Sequence, residues 1–124
     1  MPRLLNGPHT VAASTRLAIA LTGKQQRHLR ALAHDLAAVV QVGKQGWSDG
    51  VRAEIDQALD VHELIKIRLG GEAPLELTEL AENLEKQLGA SVAQVIGRLV
   101  VAYRRHPKTP RIVLPRAGAA KKGD

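Results

Sequence analysis

The chain has no cysteine and no phenylalanine, and a single residue each of tryptophan, tyrosine and methionine. Without cysteine there is no disulfide framework, no thiolate metal site and no cysteine nucleophile, and a reducing compartment is the simplest setting. The core must be built from Ala, Leu, Val and Ile, which is ordinary for a small protein. At 124 residues the chain can bury one such core and not two. Its longest apolar runs fall far short of the roughly 18 residues that a membrane-spanning helix needs, and no apolar segment near the start leads into a cleavage site. The expectation is a soluble, cytoplasmic, monomeric protein.

Acidic charge is also scarce where it matters. Residues 1–34 carry five Lys and Arg and no acid, residues 35–103 six bases against eleven acids, and residues 104–124 seven bases against one acid. The net charge of +6 therefore lies wholly at the two ends, and a polyanion is the partner it suggests. The plainer reading is a solvated tail that aids solubility.

Residues 1–20 mix Pro, Gly and Asn without period and read as a mobile extension; residues 116–124 read as a basic tail. Order is expected from Thr22, where T-G-K-Q has the capping-box pattern, with a hydroxyl at the N-cap and Gln three residues on. In the helix that follows, Leu29, Leu32 and Leu36 fall within about 60° of one another and predict the core face, opposite a basic stripe of Lys24, Arg27, Arg30 and His34. Ala38–Val42 reads as a buried strand. Ser48 caps a second helix with Val51, Ile55, Ala58 and Leu59 on one face. Leu64–Leu69 alternates, Ile65, Ile67 and Leu69 against Lys66 and Arg68, as a half-buried strand does. A third helix carries Leu77, Leu80, Ala81, Leu84 and Leu88 on one side and Glu76, Glu79, Glu82, Glu85 and Lys86 on the other; that acidic face would repel a nucleic acid and should point away from any such partner. After Gly89, strands over Ser91–Ile96 and Leu99–Arg104 are joined by Gly97-Arg98, a Gly-first order suited to a type II′ turn. Arg111–Leu114 is expected as a further edge strand. The fold class is α+β, one compact domain of order α-β-α-β-α-β-β, with a mixed sheet packed against helices.

Catalytic patterns are missing. His9, His28, His34, His62 and His106 lack metal-ligand spacing, and there is no G-x-S-x-G elbow, Walker loop or G-x-G-x-x-G fingerprint. Glu54, Asp56, Asp60 and Glu63 fit a solvated helix face better than a carboxylate pair. No metal, cofactor, small-molecule substrate or catalytic residue is predicted.

What stands out is Gly43-Lys44-Gln45-Gly46, between a strand and a helix N-terminus. Such a loop offers backbone N–H groups and the positive end of a helix dipole, glycines permit close approach of a phosphate chain, and Lys44 adds charge. G-x-x-G alone is equally an ordinary turn. Trp47 beside it either stacks on a base or sugar or covers the rim of the core. Tyr103, amid Arg98, Arg104 and Arg105, is expected to turn its ring to the core and its hydroxyl to water.

Four co-linear segments, LTGKQQRHLRALAHDL, VVQVGKQGWSDGV, ALDVHELIKIRL and VAQVIGRLVVAYR, closely resemble the CRM domain in its small bacterial YhbY-like form, over residues 21–115. The resemblance implies an RNA-binding fold similar to the C-terminal domain of translation initiation factor three, with a G-x-x-G loop that acts as the KH loop does, although the KH loop joins two helices. It places RNA contacts on Gly43, Lys44, Gln45 and Gly46, and a basic surface on Lys24, Arg27, Arg30, Arg98 and Arg104, with Arg105 beside it. Bacterial members are associated with precursors of the large (50S) ribosomal subunit, so ribosomal RNA is the implied partner. Trp47 departs from the pattern, where an aliphatic residue is expected. The alternative is a protein-interaction module that docks a ribosomal protein through its sheet or its acidic third helix.

Overall fold

The computed structural model describes residues 18–116; the expectations for residues 1–17 and 117–124 lie outside them. Three helices, α1 (Gly23–Ala33), α2 (Asp49–His62) and α3 (Leu77–Leu88), alternate with four strands, β1 (Ala38–Val42), β2 (Leu64–Leu69), β3 (Ser91–Ile96) and β4 (Leu99–Tyr103). The predicted order and the α+β class are what is found. The sheet order is β1-β2-β4-β3, with β1 parallel to β2 and β4 antiparallel to both its neighbours. β4, inserted between β2 and β3, is covered on both faces, and its LVVAY sequence is the continuous apolar run that such a position requires.

Helices α2 and α3 bury Ile55, Leu59, Leu80, Leu84 and Leu88 against Val40, Val42, Ile65, Ile67, Leu69, Val100 and Ala102 on one face of the sheet. On the other face α1 packs Leu29 and Ala33 onto Leu64, Ala93, Val101 and Tyr103. The alternation in β2 thus sends odd-numbered side chains to one layer and Leu64 to the other, while Lys66 and Arg68 remain on the α1 side.

The capping box at Thr22 is complete: Thr22 Oγ1 accepts from the Gln25 N–H at 3.1 Å, and Gln25 Oε1 accepts from the Thr22 N–H at 3.0 Å. Gln25 Nε2 also donates to the Pro115 carbonyl at 2.8 Å, which lets this polar residue lie in the core-facing stripe. The buried face of α1 is consequently Gln25, Leu29 and Ala33, and the predicted Leu32 and Leu36 are 43 and 39 % exposed. Leu36 lies beyond the end of the helix, so a helical projection does not apply to it. Ordered contacts also begin earlier than Thr22: Ser91 Oγ donates to the Ile19 carbonyl, and Leu21 packs beside Leu29.

Three further expectations need correction. β1 is an edge strand with one face covered, so only Val40 and Val42 are buried. Arg111–Leu114 is not a strand, because the amides of Arg111 and Ile112 both donate to Oε1 of Glu63, which removes the alternation a ladder needs. Tyr103 is buried, hydroxyl included, at 2 % exposure. Burial first, and the Glu63 charge second, push its pKa up, with Arg105 acting in the opposite sense.

Candidate nucleic-acid interface

β1 delivers the chain at Val42 into a tight turn over Gly43–Gly46, closed by the Gly46 N–H donating to the Gly43 carbonyl at 2.9 Å. Gly46 has φ +64°, and a Cβ there would stand 3.1 Å from Cγ of Pro74, so both its conformation and its packing call for glycine. Lys44 and Gln45 form the exposed corner of this turn, and among the described residues their backbone N–H groups have no partner. Ser48 then caps α2 by accepting from the Val51 N–H at 3.1 Å. Asp49 in the first turn already opposes the positive end of that helix, so the anion-attracting groups are the corner amides and Lys44.

Arg98 belongs to the same end of the sheet. Gly97 takes φ +56° and Arg98 a negative φ, as a Gly-first hairpin turn requires. The guanidinium donates to the carbonyls of Leu69 and Gly70 at 3.1 and 2.9 Å, and the Gly70 N–H donates to the Val42 carbonyl beside the turn. Two of its five donors are spent on the backbone, and the side chain is otherwise exposed.

The predicted basic residues do not form one surface. Lys24, Arg27 and Arg30 lie exposed on the outer side of α1, with Arg30 closest to the middle of the sheet, where it lines a groove with Lys66. Arg105 is exposed after the far end of β4, a strand's length of roughly 17 Å from Arg98. Arg104 is the clear correction. It is 6 % exposed and donates to Asp56 Oδ1 at 2.7 Å, Asp60 Oδ1 at 2.9 Å and the carbonyls of Leu88 and Asp56. Asp56 and Asp60, expected as a solvated face, ligate this arginine, which joins α2, the end of α3 and β4. Replacing Arg104 with Ala should lower stability by about 2–4 kcal/mol while leaving the RNA affinity of the folded fraction unchanged within twofold; urea unfolding followed by titration at a temperature where the variant is folded checks both.

Trp47 takes the packing alternative. It is half-buried against the layer formed by α2 and α3, and its indole N–H donates to Gln87 Oε1 at 3.1 Å. The position that resemblance marked for an aliphatic residue is therefore filled by a larger apolar one with its polar atom satisfied.

Glu63, expected on a solvated helix face, is a further correction. It is fully buried, holds φ +65° at the end of α2, and its carboxylate accepts from the amides of His106 at 2.7 Å and of Arg111 and Ile112 at 2.9 Å each. Burial pushes the carboxyl up most strongly as a single influence, but the three amides and the Arg111 guanidinium together outweigh it and hold the pKa below the ordinary carboxylate range. Sequence reasoning left Lys66, Arg68 and Gln94 unassigned, although the alternation of LIKIRL already put two of them on the side away from the main core. Among the described residues no cluster of three or more His, Asp or Glu could hold a metal, and no helix is long and apolar enough to cross a membrane.

A mixed four-stranded sheet with helices on both faces, and a strand–glycine turn–helix corner that leaves Lys44 exposed, defines a small α+β domain. The pattern of the CRS1 / YhbY (CRM) domain matches residues 21–104, and the chain belongs to that family. It is 38% identical over 95 residues to "Probable RNA-binding protein YqeI" of Bacillus subtilis, covering 77% of this chain and 99% of that one. It is 41% identical over 97 residues to a protein of Haemophilus influenzae named "RNA-binding protein", covering 77% and 96%. The solution structure of SAV1595 from Staphylococcus aureus, which its description offers as a candidate RNA binder, superposes with a TM-score of 0.66 at 38% identity, covering 77% of this chain and all of that one.

Proposed function

We propose that this protein binds RNA without catalysing a reaction, gripping the sugar-phosphate backbone at the Lys44–Gln45 corner, with Arg98 and the exposed cations of α1 extending the contact. The observation that carries the reading is the turn itself: two adjacent unpartnered amides, a lysine and a neighbouring guanidinium on one end of the sheet. The names of the relatives support RNA as the polyanion. Ribosomal RNA in precursors of the large (50S) subunit is the particular target, as the CRM resemblance implies, and the protein acts as a monomer in the cytoplasm. The acidic side of α3 bears Glu79, Glu82 and Glu85 and lies on the face of the sheet opposite α1, where it leaves the α1 side positive.

Fluorescence anisotropy with a structured ribosomal RNA fragment tests this. Three to four phosphate contacts should make affinity fall roughly 50- to 150-fold between 50 and 200 mM salt, with weaker binding to duplex DNA. Absence of binding at the lowest salt, or affinity indifferent to salt, would overturn the reading.

A further inference from the structure

Helix α1 covers only part of its face of the sheet. It ends at Ala33, beside Val101 and Lys66, and the part of that face beyond it, toward the Gly43–Gly46 turn, stays open. Between the last turn of α1 and this open part lies a groove of about 500 Å³, within the range of roughly 300–1,000 Å³ for sites that hold small organic groups. Its walls carry Arg30, His34 and Lys66, its floor Ile96 and Leu99, and Gln94 stands between them. None of the residues lining it is acidic.

We propose that this groove takes an unpaired RNA nucleotide, with the base on Ile96 and Leu99, its edge met by Gln94, and its phosphate on Arg30 and Lys66; the proposal deepens the RNA reading and rests on it. The side chains are disposed for such a role. Ile96, at the end of β3, is 54 % exposed, and with Leu99 opposite it on β4 it gives the groove an aliphatic platform open to solvent. Among the described residues the Gln94 side-chain amide makes no hydrogen bond, so its donor and acceptor are both free for a base edge. Lys66 Nζ donates to the His34 carbonyl at 3.5 Å, where α1 exposes its unsatisfied carbonyls, and has two further protons to offer. The Arg30 guanidinium is exposed and is able to stack as well as to pair with phosphate.

The groove is also continuous with the turn. Gln41 pairs with Arg68, Arg68 with Leu99 and Leu99 with Ile96, so one cross-strand row leads from the strand that ends at Val42 across the open face. A single strand held by its phosphates at Lys44 can lay its next nucleotides along that row, past Arg68, into the groove. A duplex cannot, because its bases are stacked and paired and only its backbone and minor-groove edges are presented. The groove is thus the part of the surface that would distinguish single-stranded loops from helices, as the turn, which grips phosphates only, does not.

The test uses the whole chain and two RNAs, an unstructured twelve-nucleotide oligouridine and a duplex of matched length. The neutral double variant Gln94→Leu with Ile96→Ser should lose about tenfold in affinity for the single strand, a loss of the order that one stacked base gives, and stay within twofold of wild type on the duplex with an unchanged salt slope. Arg30→Gln, at an exposed position, should reduce the salt slope by about 1 on the single strand and leave it unchanged on the duplex; an equal reduction on both would assign Arg30 to the general phosphate contact and overturn the groove, so this comparison decides the matter if the double variant does not fold. Unchanged single-strand binding by both variants, beside a loss caused by changes at Lys44 and Gln45, would overturn the groove and leave the RNA reading intact. Equal loss on both RNAs would also overturn it, since an unpaired base would not be what is recognised. Wild type that binds neither of these RNAs overturns the groove, and if it also fails to bind the structured ribosomal fragment the RNA reading falls with it.

Discussion

Replacing Lys44 and Gln45 together by Asp is expected to weaken binding to structured RNA by 30-fold or more at moderate salt. One change removes a cation and both add a carboxylate beside the two free amides, so a phosphate there loses an attraction and meets repulsion in its place. A 30-fold loss corresponds to about 2 kcal/mol, the range expected when one or two charge-assisted hydrogen bonds to phosphate are removed. The fold should not notice. Both positions are exposed at a turn whose closing bond runs between Gly43 and Gly46, neither of which changes, and Asp is well suited to turns. Far-UV circular dichroism and urea unfolding within about 0.5 kcal/mol of wild type would establish that the variant is intact, and anisotropy against the same RNA reads the loss. Affinity equal to wild type in an intact variant would reduce this corner to a connection and move the contact to the cations of α1 or to the ends of the chain.

The second large effect concerns stability. Glu63→Gln should cost about 2–4 kcal/mol and lower the melting temperature by roughly 10–15 °C. The carboxylate holds three amides of the segment after β4, and the glutamine that replaces it must turn an N–H₂ group toward at least one of them. Loss of this clasp frees Arg111 and Ile112, and with them the packing of Ile112 and Leu114 beside α1. The pH dependence separates this from a general packing defect. Because the folded protein holds Glu63 at a lowered pKa, its contribution is fully present above the ordinary value near 4.5 and is lost as pH falls through the lower, folded value. Wild type should therefore lose stability in acid below about pH 4.5, and the glutamine variant should show a shallower decline over the same interval. Parallel profiles would mean that the carboxylate charge contributes nothing there.

These two residue sets differ in how visible they are in the sequence. The turn is legible because it is a local object: glycines at both ends, a lysine within, a strand pattern before it and a capping serine after it. Helix α3 is equally legible, its leucines recurring at a helical period against a row of glutamates, and Leu80, Leu84 and Leu88 are the ones buried. Glu63 and Arg104 are not. Their roles depend on partners 43 to 49 residues away for the glutamate and 44 to 48 for the arginine's aspartates, and nothing in the neighbouring sequence announces those meetings.

For this protein, then, short-range physics in the chain determined the element order, the caps, the hairpin turn and the glycine corner, because periodicity, capping and turn chemistry act within a few residues. Only the tertiary structure decided which charges are buried. Arg104 left the basic surface for Asp56 and Asp60, Gln25 entered the core face because the Pro115 carbonyl lay within its reach, Leu32 stayed largely exposed, and α1 ended short enough to leave part of a sheet face open. Each of these is set by where distant segments of chain meet, and a charge is held in the interior only where such a meeting supplies the partners that offset its lost hydration.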